Sequence, residues 1–123
     1  MQNDKLKFKE EFKKRLYKFV LKLIEFIDKL PRDGVSRIIS DQLTRSGTGI
    51  LGTYIEGTAS SSKKDFTNYF SHSLKSSVES KVWLALLRDS GRAKKENVDW
   101  FLNELDEYSK IFASSILTLK GKR

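Results

Sequence analysis

Apolar residues recur at helical spacing in four stretches of the chain, separated by short breaks. In the first, Phe12, Leu16, Phe19, Leu23, Phe26 and Leu30 alternate steps of four and three residues, which places them along one stripe of a helix. Val20, Ile24 and Ile27 widen the stripe, and Lys13, Lys14, Lys18 and Lys22 fall outside it. The pattern predicts a helix over about 5–30. Pro31 stops it, and Asp33 is placed to cap the next one. In the second stretch, over about 34–58, Val35, Ile39, Leu43, Ser46, Ile50, Tyr54 and Gly57 keep to one arc while Leu51 and Ile55 point away. A helix with two apolar sides has more to bury than a monomeric bundle covers, so the second side predicts a subunit interface.

The third stretch opens after "TASSSKKD", where Ser62 and Asp65 stand at the spacing of a capping box. Over about 63–88, Phe66, Phe70, Ser73, Ser77 and Leu84 share a face with Tyr69, Trp83 and Leu87 beside them, and Leu74, Val78, Val82 and Ala85 form a second strip. Leu51, Ile55, Leu74 and Val78 are therefore the candidate oligomer contacts. Gly91 suits a helix end. Val98, Phe101, Leu102, Leu105, Tyr108, Phe112, Ser115, Ile116 and Leu119 then mark a fourth helix over about 94–119, and "KGKR" closes the chain as a basic tail expected to fray. No stretch alternates as a half-buried strand does. Four helices with short connections predict an all-α, antiparallel up-down-up-down four-helix bundle, a single domain over 1–123.

Charge changes the picture of what such a bundle meets. The 24 Lys and Arg exceed the 16 Asp and Glu by a net +8, a balance that favours polyanions. Residues 1–40 hold 11 of the basic and 6 of the acidic side chains, so the excess is concentrated early. Three clusters are candidate nucleic-acid contacts: Lys13, Lys14, Lys18 and Lys22 on the first helix; Lys63 and Lys64 at the start of the third; Arg88, Arg92, Lys94 and Lys95 at the last connection. The alternative for each is a solvated, lysine-rich helix face. Most aromatics fall on core phases, so any binding is expected to be governed by backbone charge and weakly sequence-specific. There is no cysteine, hence no disulfide framework or thiolate metal site. No apolar run suits a signal peptide or a membrane span, and a cytoplasmic protein without membrane contact is expected.

The segment "GTGILG" matches the G-x-G-x-x-G spacing of a dinucleotide loop. That loop needs a preceding strand, whereas here the helical phase runs through from Leu43 to Tyr54. Glycine inside a helix costs about 1 kcal/mol relative to alanine. Close helix packing at Gly47, Gly49 and Gly52 is the expected compensation, a kink near Gly47 the alternative; Gly49, Gly52 and Gly57 are read as structural. His72 is the only histidine, and no Glu-x-x-His pair or Gly-x-Ser-x-Gly occurs, so no metal, cofactor or catalytic set is predicted and the chain is not read as an enzyme. Glu56 and Glu79 have apolar neighbours. They are read as structural acids paired with Arg37, Arg45 or a helix N-terminus, ahead of a base in an active site at a subunit boundary.

Four segments in order carry a family resemblance: "QLTRSGTGI" at Gln42 to Ile50, "YIEG" at Tyr54 to Gly57, "SKKDF" at Ser62 to Phe66 and "KSSVE" at Lys75 to Glu79. Together they resemble the bacterial four-helix bundle proteins first noticed as products of intervening sequences within 23S ribosomal RNA genes. This chain departs from their pattern at Thr53 and Ile55, and lacks the arginine that often follows the glycine of the second segment. The resemblance implies a four-helix protomer. By relation to the accessory proteins of diversity-generating retroelements, it also implies a basic pentamer that binds RNA or DNA and a reverse transcriptase. A protein-interaction scaffold or homo-oligomer without nucleic acid is the alternative.

Overall fold

A computed structural model describes residues 2–121; of the tail expected to fray, Lys120 and Gly121 turn back on α4 through bonds from their amides to the carbonyls of Ile116 and Thr118, and Lys122 and Arg123 lie outside the described residues. Four helices follow in order: α1 (Gln2–Asp28), α2 (Gly34–Ala59), α3 (Lys63–Asp89) and α4 (Lys95–Leu119). Each packs on its neighbours in a closed ring, with α1 against α2 and α4, and α3 against α2 and α4. This is an up-down-up-down four-helix bundle, and no strand occurs among the described residues.

Local chemistry sets the ends. Helix α1 stops at Asp28, two residues short of expectation, because the amides of Lys29 and Leu30 turn back to the carbonyls of Phe26 and Ile27 and Pro31 cannot continue the ladder. Leu30 nevertheless stays buried at the end of its stripe. The Asp33 carboxylate accepts from the Ser36 amide at 3.1 Å and from its hydroxyl at 2.7 Å. The Ser62 hydroxyl accepts from the Asp65 amide at 3.0 Å. After α3, Gly91 at φ +76° closes a left-handed cap in which the Arg92 amide reaches the Leu87 carbonyl at 2.9 Å and the Gly91 amide that of Arg88 at 3.1 Å.

Two opposite seams hold the bundle in different ways. Helices α2 and α3 approach most closely, and small residues meet between them. Ser46 and Ser80 share a hydrogen bond of 2.8 Å, Thr53 and Ser73 one of 2.6 Å. Helices α1 and α4 stand furthest apart of the neighbours, and rings fill the space. Phe19 lies 5.3 Å from Tyr108 and 5.6 Å from Phe101 between centroids, and Phe12 lies 5.7 Å from both Tyr108 and Phe112. Burial of each such ring is worth roughly 1.5–3 kcal/mol. A polar clamp closes this seam, with Arg15 donating to both oxygens of Glu104 at 3.0 and 2.6 Å and to Glu107 at 2.7 Å.

Helix α2 runs unbroken through Gly47 to Gly52, so these glycines form no loop. They serve different ends. A β-carbon on Gly47 would collide with the Leu23 side chain of α1, one on Gly49 would sit 3.3 Å from the Ser76 hydroxyl, and one on Gly57 would lie 3.0 Å from the β-carbon of Tyr69. Gly52 departs from the expectation of close packing: nothing lies within 4 Å of that position, because it faces away from both neighbouring helices. Ile24 also departs, being exposed, since it sits about 120° around the helix from Phe12.

Candidate nucleic-acid interface

Because α1 and α4 are held apart by rings, the seam opens at one end into a groove of about 550 Å³. Its floor is Phe26, Leu30 and Phe101; its walls carry Lys22, Lys29, Arg92 and Lys94, four cations against the carboxylates of Glu25 and Glu96. The left-handed turn at Gly91 delivers Arg92 and Lys94 to this end. Arg92 is fixed there by donating to Asp33 at 3.2 Å. That carboxylate is held well below the usual range, first by its bonds to Ser36 and then by Arg92. Lys94 occupies the N-cap of α4 and no side chain caps the helix there, which leaves the positive end of its dipole toward the groove.

Trp100 stands on the wall of the groove and is 39% exposed. Phe19 stacks against it at 6.2 Å and 22°, Phe101 meets it edge-on at 5.0 Å, and the Lys22 ammonium lies 4.4 Å from its centroid. A cation on an exposed ring gains about 0.5–1 kcal/mol, so Lys22 is loosely held. Neither Trp100 nor Lys29 belongs to the basic clusters that the sequence predicts as contacts. Trp100 was legible as an aromatic falling off the Val98, Phe101, Leu105 stripe.

The other expected contacts scatter. Lys13, Lys14 and Lys18 lie on the outer side of α1, where they line a small apolar cleft with Tyr17, Leu51 and Ile55. Lys63 and Lys64 are exposed at the start of α3, at the end of the bundle opposite the groove. Arg88 bonds Asp89 at 2.9 Å and reaches Asp99 at 3.5 Å, and Lys95 pairs with the same Asp99. Both are thus partly neutralised. Of the ten cations expected to contact nucleic acid, the groove gathers Lys22, Arg92 and Lys94.

The structural acids separate likewise. Glu79 accepts from Arg45 at 3.0 Å, and Arg45 also bonds Gln42 at 2.9 Å. This pair is exposed, so it adds no more than about 1 kcal/mol. Glu56 departs from the expectation of a buried acid: it is exposed, with no ion pair among the described residues. Leu51 and Leu74, expected at a subunit interface, are half-buried against the core of their own bundle, and Ile55 and Val78, expected there too, are exposed. Among the described residues no group of three or more His, Cys, Asp or Glu could hold a metal ion, and no helix is long and apolar enough to cross a membrane. A second cavity of about 470 Å³, at the opposite end, is walled mainly by the rings of Phe8, Phe12, Tyr54, Phe66 and Phe70.

The family model of the 23S rRNA-intervening sequence protein matches residues 9–114. The crystal structure of a protein of unknown function from the S23 ribosomal protein family of Bacteroides thetaiotaomicron is similar, with 27% sequence identity and a TM-score of 0.79, over 85% of this chain and 96% of that one. No curated protein matches.

Proposed function

The chain belongs to the family of 23S rRNA-intervening sequence proteins, and from that premise we propose that it is a non-catalytic module that binds nucleic acid through the phosphate backbone, at the groove between α1 and α4. The observation that carries this is the convergence of Lys22, Lys29 and Lys94, together with the Asp33-paired Arg92, around one groove in a chain of net charge +8. Cations so placed displace the counterions of a polyanion, and affinity then falls steeply with salt. Fluorescence anisotropy with labelled oligonucleotides tests it. Binding at low salt is expected, with a log–log salt slope of about −3 for three to four phosphate contacts, and weakening on Lys29→Glu with Lys94→Glu. Absence of binding at low salt overturns it. An accessory role beside a larger enzyme such as a reverse transcriptase extends this reading by analogy with retroelement accessory proteins, and co-purification tests it.

The second reading, a homo-oligomer or interaction scaffold, is favoured by Val78, Val82 and Leu86, which are 46%, 50% and 46% exposed at four-residue steps along α3. A strip of that kind on a charged surface suits a protein contact. Light scattering is expected to give a mass above that of one chain, that of a pentamer if the analogy with retroelement accessory proteins holds. A monomer at high concentration contradicts it.

A further inference from the structure

Resting on the reading of the groove as a nucleic-acid site, we propose that Trp100 is a stacking platform for one unpaired base, so that the groove takes single-stranded nucleic acid in preference to duplex. The ring is built for this in three respects. It is exposed on the groove wall while its neighbours Phe19 and Phe101 are buried, and these hold it from behind and at its edge. Among the described residues the charged group over it is the Lys22 ammonium, the end of a flexible chain. Lys29 and Lys94 share the same groove, within reach of the phosphates that flank a stacked base.

An exchange of partners follows. The base takes the ring face, and Lys22 moves from the ring to a phosphate, so the cation is reused. In a duplex the base faces are already stacked inside the helix, and the phosphates, sugars and groove edges that remain outside offer no face for the ring. Trp100 then contributes to single-strand binding alone, by about 10-fold or more for one base on one ring.

The test compares single-stranded RNA, single-stranded DNA and a duplex of equal phosphate number at one salt concentration, with wild type, Trp100→Ala and Trp100→Phe. Trp100→Ala is expected to lose about 10-fold for both single strands and to leave duplex affinity unchanged, which also shows that the variant is folded; Trp100→Phe is expected to retain most of the affinity. In a Trp83→Phe background, single strands are expected to quench the emission of Trp100 and duplex to leave it. A loss confined to RNA identifies RNA as the ligand and supports the platform. Equal affinity of wild type for single strand and duplex, or single-strand binding indifferent to Trp100→Ala, overturns the proposal while leaving phosphate binding intact. No binding of any oligonucleotide sinks the underlying reading with it.

Discussion

Between α2 and α3 the helices meet across Ser46, Gly49, Thr53 and Gly57, whereas between α1 and α4 the space is occupied by Phe12, Phe19, Phe101, Tyr108 and Phe112. Both seams follow from the same helical periodicity, so the difference lies in side-chain volume. Small residues let backbones approach, and the buried serines remain satisfied by one another or by carbonyls four residues back, as Ser77 is by Ser73 and Ser80 by Ser76 at 2.9 Å. Large rings keep backbones apart and add apolar burial. The seam held open by rings ends in a cleft floored by Phe26 and Phe101, and there Lys22, Lys29, Arg92, Lys94 and Trp100 gather. The tight seam is structural, and the wide seam carries both core and candidate interface.

The largest effect is expected where ring volume is removed. Phe19→Ala is expected to cost about 3–5 kcal/mol in urea denaturation, because Phe19 is 1% exposed and touches three rings. A smaller cost, about 1–3 kcal/mol, is expected from adding volume to the tight seam with Ser80→Leu, since α2 cannot recede without breaking its other contacts. If the two substitutions cost the same when exchanged between seams, the distinction drawn here fails.

The clamp of the wide seam has its own signature. Glu104 is held below its ordinary pKa of 4.5, first by the Arg15 bonds and also by the Tyr108 hydroxyl, which donates to it at 2.8 Å. A carboxyl lowered on folding stabilises fully above its unfolded pKa, and that stability drains away as pH falls through the folded one. Glu104→Gln is expected to cost about 1–2 kcal/mol at neutral pH and to flatten the stability profile below pH 4.5. Urea midpoints across acid pH check this; an unchanged slope contradicts it.

The finest contrast lies within α2. Gly57→Ala is expected to destabilise by about 1–2 kcal/mol, given the 3.0 Å approach to the β-carbon of Tyr69. Gly52→Ala is expected to stabilise by up to about 1 kcal/mol, because its position is open. Thermal melts of the pair separate a glycine needed for packing from one that is not.

Periodicity made the helices legible because each core stripe, from Phe12 to Phe26 and from Val98 to Phe112, is a property of one helix alone. The turn at Gly91 and the cap at Asp33 were legible for the same reason. Which neighbour each face meets depends on the angles and spacing between helices, which a single stripe does not encode. Gly49 and Gly52 therefore read alike although one meets Ser76 and the other open space. The groove was less legible still. Lys22 and Trp100 are far apart in the chain, and only the spacing of α1 from α4 brings them together. Charge clustering by sequence grouped Lys22 with Lys13, Lys14 and Lys18, which face elsewhere, and missed Lys29, which shares its cleft.

The central claim is that the open end of the α1–α4 seam, among the basic clusters of the bundle, is where nucleic acid sits. Amide chemical-shift mapping with a short single-stranded oligonucleotide tests it most directly. The largest changes are expected at residues 22–30 and 92–101, with little change near Lys63 and Lys64. Changes centred on the start of α3, or on the outer side of α1 around Lys14, would contradict it.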